Sequence, residues 1–198
     1  TATDDDAFDF DFGYRGNIQF AVATLNASLE CSSDPNGIEC DNENPYNPAH
    51  TPYTHPVLSN LTIVGTSDGS AANEALKSAA NFRRGAEFTL VNSILYGYPT
   101  GILCETSNNN VFKNNIVDGV STNYSGITPD ATNLNREPSV IGLNSPWGAY
   151  KSAALVSARV PASTGANFAG LDMSFFDNTT YKGAVSSADN WLLQTWVK

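Results

Sequence analysis

The chain has 198 residues and carries a formal charge of −10 at pH 7, from 20 acidic and 10 basic side chains. That length fits one domain with a sizeable core, and the 41% apolar content against 15% charged residues agrees with it. So acidic a surface repels nucleic acid and anionic lipid, and neither is expected as a partner.

No stretch reaches the roughly 20 apolar residues of a membrane-spanning helix, so no membrane insertion is expected. The sequence starts at Thr1 with no leader-like segment and is read as mature, processed or part of something longer.

In chain order, DDDAFDFDFG alternates Phe8, Phe10 and Phe12 with Asp9 and Asp11, which predicts a half-buried strand. A turn at Gly13–Asn17 leads into a second predicted strand, Ile18–Thr24. The acids Asp4, Asp5, Asp6, Asp9 and Asp11 offer the oxygen chemistry of Ca²⁺, which takes about 6–8 ligands. Their spacing does not match an EF-hand, and the plainer reading is a solvated strand face. Asp9 and Asp11 also lie close enough for paired-carboxylate hydrolysis, although neither is marked as the acid.

Cys31 and Cys40 flank the polar loop SSDPNGIE and are expected to bridge in an oxidising compartment, leaving Cys104 as a small buried side chain. The segment 41–56 carries Pro45, Pro48, Pro52 and Pro56, so it does not read as a central strand. His50 and His55 sit in it with Asp41 and Glu43 upstream, a conceivable metal set whose plainer reading is loop surface.

Three nine-residue segments then superpose: VLSNLTIVG (57–65), TLVNSILYG (89–97) and VFKNNIVDG (111–119). Each has an apolar second and seventh place, Asn at the fourth and Gly at the ninth. Asn60, Asn92 and Asn114 are 32 and then 22 residues apart, within the length of one coil of a parallel β-helix. Asn bends a chain through a left-handed conformation, and stacked amides are expected to bond one another as a ladder. Asn17 is expected to open this ladder.

A second element, GIEC (37–40) and GILC (101–104), is expected to find its middle counterpart in RGAEF (84–88). AANEALKSAANF is expected to form a short helix and 121–138 a loop. The fold expected is all-β, a right-handed parallel β-helix with coils over 1–138. Residues 139–198 form an irregular capping segment of the same domain. The aromatic tail around Trp191 and Trp196 is expected to cover the last apolar layer. The first coil shows no such cover, so further coils or another chain are expected to precede it.

At DDDAFDFDFGYRGNIQF, NGIECDNE…THPVLSNLTIVG, RRGAEFTLVNSILYGYPTGI and FFDNTTYKGAVSSADNW, the chain resembles a mostly uncharacterised family of secreted bacterial β-helix proteins of the Bacteroidota type. The resemblance implies the fold and a secreted or outer-membrane-surface location in a Gram-negative cell, and transfers no catalytic residue. Members often carry a C-terminal sorting signal, and none is recognised in the residues up to Lys198.

Three readings of function follow. Tyr46, Tyr53, Tyr98, Trp147 and Tyr150 are expected in loops where aromatic rings stack on sugars, which makes non-catalytic binding of glycans or other surface polymers the favoured one. A polysaccharide-active enzyme is the second. For a lyase the only dibasic pair, Arg83–Arg84, would supply the base, with its pKa lowered by neighbouring positive charge. The third is an assembly subunit that stacks on a protein partner at its N-terminal end.

Overall fold

In the computed structural model the three nine-residue segments lie directly over one another. It describes residues 4–197 except 27, 29, 33, 74, 75, 106–108, 136–141, 148–152, 158 and 159. Val57–Ser59 (β5), Phe88–Val91 (β8) and Asn110–Lys113 (β10) pair in parallel, Leu58 beside Leu90 beside Phe112, and Asn17–Gln19 (β2) extends the sheet beyond β5.

Asn60, Asn92 and Asn114 follow their strands with φ of 56°, 54° and 59°. Asn tolerates that left-handed region better than most L residues, so the chain turns there without a glycine. It then enters Thr62–Val64 (β6), Ile94–Cys104 (β9) or Ile116–Ser125 (β11), and Val22–Thr24 (β3) and Leu134–Asn135 (β12) lie in the same wall. The third wall holds Phe8–Phe10 (β1), Ile38–Cys40 (β4), Ser78–Phe82 (β7) and the second halves of β9 and β11. Every pairing between these strands is parallel. The architecture is a parallel β-helix.

Inward-pointing side chains form a column through the coils, with Leu58, Ile63, Leu90, Leu95, Ile102 and Val117 fully buried. Each is worth about 1.5–3 kcal/mol of burial. Phe82 stacks on Phe88 at 3.5 Å between ring centroids. Outward-pointing Val64, Ile94, Tyr96 and Ile116 form a second core with Leu155, Val156, Ala162, Val185 and Leu192.

The C-terminal segment therefore lies along the flank of the coils. Asp177 exchanges two hydrogen bonds with Gln19 through its backbone, the Ala184 amide donates to Thr62 Oγ1, and the Gly183 amide donates to the Asn92 carbonyl. These contacts reach the first, second and third coils. In place of the end cap expected of the tail, Trp191 and Trp196 stack on each other at 5.8 Å, and Trp196 stays exposed.

The amide ladder sits one residue later than the bends. Asn60 Nδ2 donates to Thr179 Oγ1 and the Tyr181 carbonyl, and Asn92 Nδ2 to Ser59 Oγ and the Asn167 carbonyl; both amides thus turn in part toward the tail. The rung-to-rung chain runs through Ser93, Asn115 and Asn133. Ser93 Oγ accepts from the Leu61 amide at 3.0 Å, Asn115 Oδ1 from the Ser93 amide at 2.8 Å, and Asn133 Oδ1 from the Asn115 amide at 3.0 Å.

Other sequence expectations shift by register. The strand expected over Ile18–Thr24 breaks at Phe20, φ 59°, and the pairing of Gln19 with Ser59 puts Phe20, rather than Asn17, at the bend beside Asn60. β1 stops at Phe10, because Phe12 takes φ 50° and lies 79% exposed. The counterpart of GIEC and GILC is Ala79–Phe82: Cys40 pairs with Phe82 and Phe82 with Cys104. Arg84 (φ 51°) and Gly85 (φ 74°) make the following turn, so RGAEF is not that element.

The expected helix is instead strand β7, buried on both faces as parallel strands are; Glu74 and Ala75 lie outside the described residues. Residues 121–125 are strand, not loop. Cys31 and Cys40 are not joined by a disulfide: the expected bridge is absent, and Cys40 points into the core beside Phe82.

Candidate functional site

The outer face of β1, β4 and β7 gathers charge by register alone. Asp9 pairs with Glu39, Glu39 with Asn81, and inward Phe10, Cys40 and Phe82 alternate with them. One residue past the strand ends come Asp11, Asp41 and Arg83. Arg83 Nε donates to both oxygens of Asp41 at 3.0 and 3.2 Å, its Nη1 reaches Asp34 at 3.4 Å, and its Nη2 binds Glu39. Arg84 Nη1 binds Asp41 as well. Asp6 accepts from the Asn36 amide at 2.8 Å, and Asn36 Nδ2 donates to Glu39 Oε1 at 3.3 Å.

Burial dominates the protonation of these acids. It pushes Glu39 up to about 7, helped by the charge of Asp6 and only partly opposed by Arg83. Burial raises Asp6 to about 6 against the hydrogen bonds from Asn36. Asp9 and Asp11 are raised by burial and by their acidic neighbours. Burial alone would lower Arg83, but Asp41 and Glu39 more than reverse it and hold the guanidinium charged.

Beside this strip three turns meet at one corner: 11–16, 41–56 and 83–87. The Gly13 amide donates to Thr54 Oγ1 at 2.9 Å, the His55 amide to the Tyr14 carbonyl at 2.7 Å, and Arg15 Nη1 to the Tyr53 carbonyl at 2.9 Å. Arg15 also lies 3.7 Å from Glu87. His55 contacts Glu87 Oε2 through Nδ1 at 3.0 Å and Thr89 Oγ1 through Nε2 at 3.2 Å. The Tyr46 ring lies against Gly85, where a Cβ would come within 2.4 Å of it. Tyr46 and Tyr53 share a side-chain hydrogen bond, and Tyr53 Oη donates to the Pro48 carbonyl at 2.8 Å. Phe12, Tyr14 and Tyr46 expose large parts of their rings here.

The residues singled out in the sequence therefore scatter. Tyr46 and Tyr53 belong to the corner. Tyr98 is buried at 2% exposure in the inner core, where its alternation along β9 aims it, so it offers no sugar a surface. Trp147 stacks on Tyr96 at 4.8 Å, on the outer face that carries the second core. Tyr150 lies outside the described residues. His50 pairs with Glu43 at 2.7 Å, apart from the His55 contacts with Glu87 and Thr89. Asp4 is exposed, Asp5 accepts from Ser32 Oγ at 2.7 Å, and Asp6 turns in to Asn36. Among the described residues no three His, Cys, Asp or Glu side chains converge in a way that could hold a metal ion. No helix among them is long and apolar enough to cross a membrane.

Tyr14, Arg15 and Glu87 escaped the sequence reading, and Phe12 was read there only as part of the strand face. The signal available was the position of each in or beside a turn that follows a strand of the repeat.

A family model described as a pectate-lyase-like beta helix domain matches residues 1–167. No curated protein matches the chain, and no solved structure does.

Proposed function

Because the chain belongs to the pectate-lyase-like β-helix family, we propose that it binds polysaccharide at the corner of the 11–16, 41–56 and 83–87 turns, without cleaving it. The observation that carries this reading is the company of exposed Phe12, Tyr14 and Tyr46 with the polar edge of Arg15 and Glu87. Aromatic faces take the apolar side of a sugar ring, and flanking charged groups take its hydroxyls.

Cleavage by β-elimination needs a base that gives up its proton. Arg83 is braced by three carboxylates and held charged, and Arg84 is tied to Asp41. A second reading, a polysaccharide-active enzyme, draws on Glu39, whose carboxyl is raised to about 7 as a general acid requires. Against it, Glu39 is 8% exposed and bonded to both Arg83 and Asn36. Secretion or display on an outer-membrane surface goes with either reading, since the polymer has to reach the corner.

Affinity electrophoresis in gels cast with neutral and acidic polysaccharides, with and without Ca²⁺, tests the proposal. Retardation by at least one polymer, lost in Tyr46→Ala and unaccompanied by product release, is expected. Release of oligosaccharides that Arg84→Ala or Glu39→Gln abolishes would replace binding by catalysis.

A further inference from the structure

Lys182 lines a different part of the surface from that corner, in the segment 168–198 that the family match does not reach. It is only 5% exposed, yet its ammonium group has no hydrogen-bond acceptor or carboxylate partner among the described residues. The ammonium keeps a small solvent contact through the space it lines, and a largely buried cation without a counter-charge carries a desolvation cost. Its backbone amide is fixed by the Ala162 carbonyl at 2.8 Å, and its neighbour Gly183 is fixed by Asn92, so the chain on either side is tied to its surroundings.

Lys182 lines a cavity of about 440 Å³ between the tail and the first coil. Phe20 and Tyr181 form one wall as a stacked pair, with ring centroids 6.4 Å apart. Thr180 and Ser163 contribute hydroxyl-bearing walls, and Asp177 and Asp189 complete the lining. Tyr181 engages Asp189 through its side chain. The shift of Lys182 is downward and comes from burial alone, so neither aspartate compensates its charge.

We propose that this cavity binds a small hydroxylated monocarboxylate, a sugar acid, with its carboxylate on Lys182 and one ring face on the Phe20–Tyr181 pair. The charge pattern selects that class. A carboxylate supplies the counter-charge that the ammonium lacks, as a charge-assisted hydrogen bond. The two aspartates repel a multiply charged phosphate or sulfate but accept hydrogen bonds from sugar hydroxyls. The aromatic wall favours a ring with an apolar face. This site stands apart from the corner, and neither proposal needs the other.

Titration calorimetry of the full chain with D-glucuronate, D-glucose and inorganic phosphate is the test. Glucuronate is expected to bind, glucose at least tenfold more weakly, and phosphate not measurably. Lys182→Met should weaken glucuronate by about 10–100-fold, the range of one hydrogen bond to a charged group, while polysaccharide retardation at the corner is unchanged. Should that variant fail to fold, NMR of the ¹³C-labelled lysines in the unaltered protein decides. Saturation with glucuronate should raise the titration midpoint of Lys182, and glucose should leave it in place. Equal affinity for glucose and glucuronate, preference for phosphate, or a Lys182 midpoint that glucuronate does not move would overturn the proposal.

Discussion

Asn115 is the position at which truncation should be felt most. Its side chain is wholly buried, accepts from the Ser93 amide at 2.8 Å, and donates to the Leu90 carbonyl at 2.8 Å and to Asn133 Oδ1 at 3.2 Å. In Asn115→Ala the Asn133 oxygen keeps the Asn115 backbone amide, but the Ser93 N–H and the Leu90 C=O lose their bonds to the side chain. A buried group left unsatisfied costs about 1–3 kcal/mol, so the pair amounts to about 4 kcal/mol. That is a large part of the 5–15 kcal/mol typical of a folded domain. Urea unfolding followed by tryptophan fluorescence reads it as a fall in midpoint at unchanged slope. The second coil pair supplies a control, because Ser93 fills the equivalent role and its Oγ accepts the Leu61 amide. Asn115→Ser should therefore recover about half the loss. A cost below about 1 kcal/mol for alanine, or serine no better than alanine, would refute the reasoning.

At the bend itself, Asn114→Gly should change stability by less than about 0.5 kcal/mol, since Asn114 Nδ2 has no partner and glycine takes φ 59° freely. Asn92→Gly loses the bonds to Ser59 and to both backbone groups of Asn167 and should cost about 2 kcal/mol in the same urea assay. Gly65→Ala would put a Cβ 2.1 Å from the Gly97 carbonyl oxygen. A backbone shift of that kind costs about 1–3 kcal/mol, read as a lower midpoint of thermal unfolding. Finally, Glu39 is raised from its ordinary 4.5 to about 7 and Asp6 from 3.8 to about 6. Over that span the folded chain holds more protons than the unfolded one, so stability should fall as pH rises from about 4 to 7. Glu39→Gln should flatten that slope, and an unchanged slope in urea titrations across the same pH range would reject the assignment.

The coil was readable because one nine-residue pattern encoded three separate necessities. Its apolar places face the core, its Asn takes the left-handed bend, and its closing Gly at 65 and 97 makes room for a neighbouring backbone. Register was less readable. Phe20 occupies a bend that the pattern assigns to Asn, held by stacking on Tyr181 from a segment more than a hundred and fifty residues away. The helix expected across Ala-rich 71–82 became strand β7 because Ala79 and Ala80 fit a wall crowded on both sides, and small side chains carry no periodic signal. Of the site, Tyr46 and Tyr53 were visible as loop aromatics. Tyr98 misled, because an aromatic beside Gly and Pro reads as loop while β9 runs straight through it. The Lys182 cavity left no trace, since it exists only where the tail folds back on the first coil.

Where the coils carry their loops decides where chemistry gathers. In the first two coils the chain leaves the helix after Thr24 and after Val64 and returns at Ile38 and Ser78; β9 and β11 instead pass the same corner as unbroken strands. The insertion at 41–56 falls in the second coil, so beyond the pairs within it its polar groups meet the neighbouring turns of the first and third, at 11–16 and 83–87. Arg83 and Arg84 follow from the same geometry. They end the strand beside β4, and the acids of β4 and its following turn neutralise them before any ligand arrives. A surface whose charges are already matched internally favours recognition by shape and hydroxyl contacts over proton transfer, which is why the corner is read as a place that holds a polymer.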